Sequence, residues 1–353
     1  MITLQDILAA VGVVFNGIPM MIFAMSFGFM AVPTAIGYMI GAGGMLFFGT
    51  VTPISIQAGS IALVGTMGRS LKERLSIALF SGLIMAAVGG FGIIHDIMNF
   101  AGPRVIFGMQ AGVGIILARV AIDMVKANQF VGLISMASAL AIFLSTRDLV
   151  YTIVGSVVVS SGAHYFKNKA TMNIDEENYK LTLYPPVINY NVIRGSLALA
   201  CLTVGSNIAF GNITAGMSGT TANINHLTFY SGLANLASLF GGAPVESIIS
   251  ATGAAPNPMV SGVLMMIMMA VILVTGLLPK LARFVPMQSI AGFLFIIGAF
   301  ATTPINAFNA FNGAARPEFL AAGMSMLVTA LTDPFIGLAA GVLVALAAPV
   351  LGL

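Results

Sequence analysis

The chain has 353 residues, of which 58% are hydrophobic and 7% charged, with a net charge of +3 and a mean hydropathy of +1.02. A soluble domain is about 45–50% apolar and about 25% charged, so this chain lacks the polar residues to cover a surface in water, and lipid is its solvent. No stretch combines clustered Lys and Arg with interleaved aromatics, which excludes nucleic acid as a partner; the single Cys201 excludes an intrachain disulfide or a thiolate metal site.

The chain opens "MITLQDILAAVGVV", with an acid at Asp6 and no basic residues before the first apolar run. A cleavable signal peptide is therefore not expected, and the first run remains in the mature protein. A spanning helix needs roughly 20 mostly apolar residues. Runs that fit lie near 6–28, 31–49, 75–96, 105–125, 129–145, 149–166, 193–214, 224–240, 260–279, 286–306, 317–332 and 334–352. Two further stretches, 49–68 and 241–258, are apolar but interrupted by Gly, Pro and polar residues, and with them the crossings number about fourteen. The hydrophilic segment 167–192, with Asp175, Glu176 and Glu177, divides the chain into 1–166 and 193–353, each with seven elements.

In each half the interrupted element is the third. "FGTVTPISI" begins at Phe48 and "FGGAPVESI" at Phe240, an offset of 192, with Phe, Gly, Ser55/Ser247 and Ile56/Ile248 coinciding and Pro53 and Pro244 midway. An odd number of crossings per half inverts the second copy relative to the first. Inverted repeats with paired Gly/Pro-broken segments mark the binding site of a transporter. Backbone groups freed by Pro and Gly cannot face lipid, so such segments must line a protein cavity. If each is an extended piece followed by a half-helix, two helix N-termini meet near the midplane and favour an electron-rich ligand. The expected fold is an all-α polytopic membrane protein with broken third and tenth helices, located as a multi-pass protein of the cell (inner) membrane.

"LFGGAPVESIISATGAAPNPMVSGV" resembles the tenth-helix signature of the nucleobase–cation symporter 2 family, the xanthine/uracil permeases, loosely its adenine/guanine/hypoxanthine branch. "VPTAIGYMIGAGGMLFFGTVTPISIQAG" is similar to its second and third helices, and "TALTDPFIGLAAGVLVALAAPV" to its last hairpin. The resemblance implies a core domain and a gate domain, a base held between the third and tenth elements, and proton coupling. It implies that Glu246 bonds the base, with Ser247 and the turn at Pro244 beside it and Ser55 and Gln57 in the matching element. The chain departs from the family in three places: Leu202 stands about where a second acid belongs, "AAPNP" replaces a glycine-rich run with its Arg, and Asp6 replaces a His.

Glu246 reads as the only acid deep in an apolar stretch. An intramembrane carboxylate costs about 2.5–3.5 kcal/mol to insert, which makes it the candidate proton carrier; the bland alternative is a carboxyl that braces freed backbone N–H groups. Ser206 and Asn207 in the eighth element could contact a base edge or only bond between helices. Asn16, beside Gly17 and Pro19, is a candidate lining residue. Phe27 and Phe210 could stack on a flat ring or fill core, and Asp333 before Pro334 suits a helix cap. His95, His164 and His226 are too scattered to bind a metal. Eleven of the 14 Lys and Arg fall in odd-numbered loops; the positive-inside rule then puts both termini outside, whereas the resemblance implies inside, and orientation stays open.

The reading is a secondary active transporter, not an enzyme and without a cofactor, moving a purine-type nucleobase with H+ by alternating access. A homodimer is allowed but not indicated. The alternatives are a sulfate-permease-like anion transporter of the same fold, which "TVTPISIQAGSIALV" also resembles, and a channel. Against the anion reading stand the retained Glu246 and the expectation that no regulatory domain follows Leu353.

Overall fold

The computed structural model describes residues 2–168, 181–276, 278, 284–348 and 350. Helix α1 (Leu4–Ser26) starts at a reciprocal cap in which Asp6 N–H donates to Thr3 Oγ1 and Thr3 N–H donates to the Asp6 carboxylate. α2 (Ala31–Phe48) stops at Gly49, whose φ of 64° is the left-handed geometry that glycine adopts without strain. The chain then runs extended through Pro53 to a two-residue strand, β1 (Ile54–Ser55), before α3 (Ala58–Met67). At 1.5 Å per residue, the ten residues of α3 span about half a bilayer.

α4 (Leu71–Gly90) is capped by Ser70 and followed by a short helix, α5 (Ile94–Ala101), turned by 100° from it. The single span expected over 75–96 is thus two elements. Gly89, Gly90 and Gly92, the last with φ of 75°, make the corner. α6 (Pro103–Ala127), α7 (Gln129–Thr146) and α8 (Leu149–Asn168) complete the first half. Of the hydrophilic segment, residues 169–180, with its three acids, lie outside the described residues. Residues 181–188 run without regular structure against the bundle, where Val187 N–H donates to Ser76 Oγ at 2.9 Å.

The second half opens with α9 (Tyr190–Met217) and α10 (Ile224–Ala234), which tightens into a 3₁₀ turn over Asn235–Phe240. A second two-residue strand, β2 (Glu246–Ser247), and a four-residue 3₁₀ turn (Ala251–Ala254) precede α11 (Pro258–Val274). The last spans are α12 (Met287–Phe311), interrupted by a π-helical stretch at Ile296–Thr302, then α13 (Arg316–Leu331) and α14 (Pro334–Ala347). Among the described residues six helices are long and apolar enough to cross a membrane alone: α1, α2, α6, α7, α9 and α12. The protein is an integral multi-pass membrane protein with a fold of two inverted repeats.

β1 and β2 cross as an antiparallel pair, with Ile54 opposite Ser247 and Ser55 opposite Glu246. This register carries the repeat symmetry. Moving Ile54 forward by the sequence offset of 192 gives Glu246, and moving Ser247 back by it gives Ser55, so the first pair becomes the second. A two-fold axis passes between them. The same offset relates Tyr38 of α2 to Tyr230 of α10, and both buried phenols hold the third element. Tyr38 Oη lies 2.7 Å from Ser55 Oγ and accepts from Ile56 N–H; Tyr230 Oη donates to the Thr52 carbonyl at 2.5 Å.

The helices sort by contact into two bodies. α1–α4 pack with α9–α11 around the strand crossing, and α6–α8 pack with α12–α14. The seam between them runs along α1 against α8, α3 and α9 against α6, and α9 against α14.

The tenth element is less regular than its partner. It holds no half-helix, only the 3₁₀ turn, so one helix start faces the crossing rather than two. The reason is local. Pro256 and Pro258 bias the residues before them away from helical backbone: Ala255 has ψ of 157° and Asn257 ψ of 79°. Helix resumes only at Pro258, where a first-turn proline loses no hydrogen bond.

Candidate functional site

The crossing exposes backbone groups that lipid could not satisfy, and side chains of the first body take most of them one by one. Ala243 N–H donates to Thr34 Oγ1 at 2.9 Å, Val245 N–H to Asn235 Oδ1 at 2.8 Å, and Ser247 N–H to Asn207 Oδ1 at 3.2 Å. Ile248 N–H donates across the crossing to the Pro53 carbonyl at 3.3 Å. Asn207 is fixed in turn through its Nδ2, which donates to Thr228 Oγ1 and Ser231 Oγ. The side-chain partners come from α2, α9 and the end of α10, so packing of those helices sets the position of β2.

Strand alternation then separates the two residues of β2. Ser247 turns to the scaffold, its Oγ donating to the Ser206 carbonyl at 3.2 Å. Glu246 turns to a cavity of about 60 Å³ on the seam between the bodies. Ser60, in the first turn of α3, donates to Glu246 Oε1 at 2.5 Å, while Glu246 Oε2 is buried without a hydrogen-bond partner. Around the cavity stand Gln57, Ala58 and Gly59 at the start of α3, with Leu202, Ser206 and Phe210 of α9. The second body contributes Gln110, Val113 and Leu117 of α6 and Ile297 and Thr302 of α12.

Gln57 is the N-cap of α3, its side chain makes no capping bond, and Gln57, Ala58 and Gly59 of this uncapped helix start line the cavity. The start of a helix carries partial positive charge, and here it lies on the same wall as the Glu246 carboxyl. Thr302 lies at the end of the π-helical stretch, a distortion often found at functional sites.

Of the residues singled out in the sequence, the structure brings Glu246, Gln57 and Ser206 to the cavity, with Phe210. Ser247, Pro244, Ser55 and Asn207 are buried beside it but are not in its wall; the bonds above commit Ser55, Ser247 and Asn207 to the crossing itself. Asn16 on α1 also lies away from the cavity, and its Oδ1 is buried without a partner. Phe27 sits under the Arg74 guanidinium, 5.3 Å from its ring centre. Two further acids are as deeply buried as Glu246, contrary to its reading as the only one. Asp6 accepts from Asn257 N–H at 2.8 Å and tethers α1 to the start of α11. Asp333 caps α14 and pairs with Arg194 of α9 at 2.5 Å. No group of His, Cys, Asp and Glu that could hold a metal occurs among the described residues.

Sequence reasoning missed Gln110 and Ser60. Gln110 was detectable as the lone amide in "VIFGMQAGVGIIL", since a polar side chain inside a span is expensive. Ser60 carried no such signal, because serines recur throughout the spans.

No protein-family model and no curated protein sequence matches the chain. Solved structures do. The transmembrane domain of BicA, a bicarbonate transporter of a cyanobacterium, matches with a TM-score of 0.71 at 16% identity, over 96% of this chain and 96% of that one. The overall structure of SLC26A9 matches with a TM-score of 0.70 at 15% identity, over 99% of this chain and 65% of that one. Murine Slc26a9, an anion transporter solved in the inward-facing state, matches with a TM-score of 0.71 at 15% identity, over 99% and 68%. At such identities the likeness establishes the fold.

These matches overturn the resemblance to the xanthine/uracil permeases, and the purine-type nucleobase that it implied is left without support. The physical reason lies in what the motif does. Ser55 and Ser247 bond within the strand crossing and the Pro53 carbonyl accepts from Ile248 N–H across it, so the echo at these positions reports architecture.

Proposed function

We propose that the chain is a secondary transporter of a small anion, carried across the membrane together with a proton as the two bodies rock against each other. The observation that carries this reading is the uncapped start of α3 in the wall of a small seam cavity that holds one carboxyl and no Lys, Arg or His. A helix start binds anions through unpaired N–H groups and its dipole, without a cationic side chain. A cavity of about 60 Å³ holds a few waters or one small oxyanion. The neighbours of the same fold, one described as a bicarbonate transporter and one as an anion transporter, support the ligand class.

Glu246 fits this reading only when protonated. Ionised, it would repel an anion a few ångströms away at a site shielded from water, where such repulsion is strong. Neutral, its carboxyl can accept from Ser60 through Oε1 and donate from Oε2, the oxygen left without a partner. Anion and proton then bind together. In this reading residues 1–166 and 193–353 are the two repeat copies and 167–192 joins them.

The test is uptake of radiolabelled bicarbonate, sulfate and chloride into proteoliposomes holding the purified protein. Saturable uptake of at least one, stimulated by an inward proton gradient, is the expected result. Absence of uptake for all three, or conductance without saturation, overturns the proposal.

A further inference from the structure

The geometry points to Gln110 as a residue that binds the transported anion from the second body, so that the ligand is gripped across the seam. This rests on the function proposed above and adds to it the contact that ties ligand occupancy to the relative position of the two bodies.

Three observations carry it. Gln110 is 4% exposed, and its Nε2 is buried with no hydrogen-bond partner. A buried amide that donates to nothing is costly in a folded protein, and such groups call for an explanation, of which an absent ligand is one. Glu246, whose Oε2 is likewise buried without a partner, lines the same cavity, so two residues with unmet polar atoms stand on one space from opposite bodies.

The third observation is the fit of the side chain. α9 carries Gly205 where α6 approaches, and a Cβ there would stand 2.8 Å from Gln110 Nε2. Glycine at 205 leaves the room the amide occupies, next to Ser206 in the cavity wall. The remaining lining of the second body is Val113, Leu117, Ile297 and Thr302, so Gln110 is its one amide donor. An anion lying at the start of α3 would thus accept from N–H groups of the first body and from Gln110 of the second. Closure around it becomes favourable only when it is there, which is the requirement for a carrier that does not leak.

The test measures initial uptake rates of radiolabelled bicarbonate, sulfate and chloride by the wild type, Gln110→Leu, Gln110→Glu and Gly205→Ala, each checked for monodispersity and thermal unfolding in detergent. For the anion the wild type transports best, Gln110→Leu is expected to raise KM about tenfold with the maximal rate within about twofold, the size of one lost hydrogen bond to a charged ligand. Gln110→Glu keeps the shape but replaces the donor with a like charge, and is expected to abolish uptake at neutral pH. Gly205→Ala leaves the amide in the chain but displaces it, and is expected to raise KM as well. If the wild type transports and Gln110→Leu and Gly205→Ala both keep KM within about twofold, the inference is overturned while the proposed function stands. If the wild type transports none of the three anions, both fall. Should Gln110→Leu not fold, Gly205→Ala and Gln110→Glu decide the matter alone.

Discussion

Replacing Glu246 by Gln separates binding from coupling. The amide keeps an oxygen to accept from Ser60, which donates to Glu246 Oε1 at 2.5 Å, and places a permanent N–H donor where the protonated carboxyl would present its own. The variant is therefore a fixed copy of the protonated state, and KM for the anion is expected to stay within about threefold. Coupling is expected to vanish. Glu246 is the one titratable side chain in the cavity wall, so the proposed coupling predicts one proton per cycle. For a monovalent anion, a gradient of one pH unit then supplies about 1.4 kcal/mol and supports about a tenfold accumulation. Proteoliposomes acid outside by one unit, with anion and internal pH followed together, read both quantities. The wild type should overshoot toward tenfold and acidify its lumen; Glu246→Gln should equilibrate without overshoot and without proton movement. An equal overshoot in the two proteins would refute the assignment of the proton to Glu246.

Other outcomes follow from bonds that hold the crossing and the seam. Asn207→Leu leaves Ser247 N–H buried without an acceptor and is expected to destabilise the protein by about 1–3 kcal/mol; its unfolding temperature should fall further than that of Thr228→Val, which leaves the bond to Ser247 intact. Arg194→Met strands the fully buried carboxylate of Asp333 and is expected to cost about 3 kcal/mol. Asp333→Asn should cost less, since Asn still caps α14, and the order of the two unfolding temperatures in detergent checks this.

Much of the architecture was legible because lipid imposes simple rules on a sequence. Long apolar runs marked the spans to within a few residues, except where the glycines after Val88 turn α4 into α5. The echo between Phe48 and Phe240 carried an offset that the β1–β2 register reproduces, since a residue pair astride a two-fold axis must exchange partners under it. Tyr38 and Tyr230 obey the same offset and could have strengthened the repeat from sequence alone.

The site was legible only in part. Glu246, Gln57 and Ser206, selected from their elements, line the cavity, but the same reasoning selected Ser55, Ser247 and Asn207, which brace the crossing. A polar residue in a broken segment satisfies either a ligand or a backbone, and its type does not say which. The family resemblance failed for the same reason: its broken segments build the strand crossing of a fold that the matching structures share.

By itself the sequence determined that the chain lives in lipid, that it is built twice with opposite orientation, and that each copy breaks in its third element. Those facts depend on composition and order along the chain. The tertiary structure alone decided that one half-helix rather than two faces the crossing, and that Gln110 joins Glu246 in the wall of one small cavity at the seam. Those facts depend on which side chains from distant elements meet, and on which buried polar atoms are left without partners once all the others are paired.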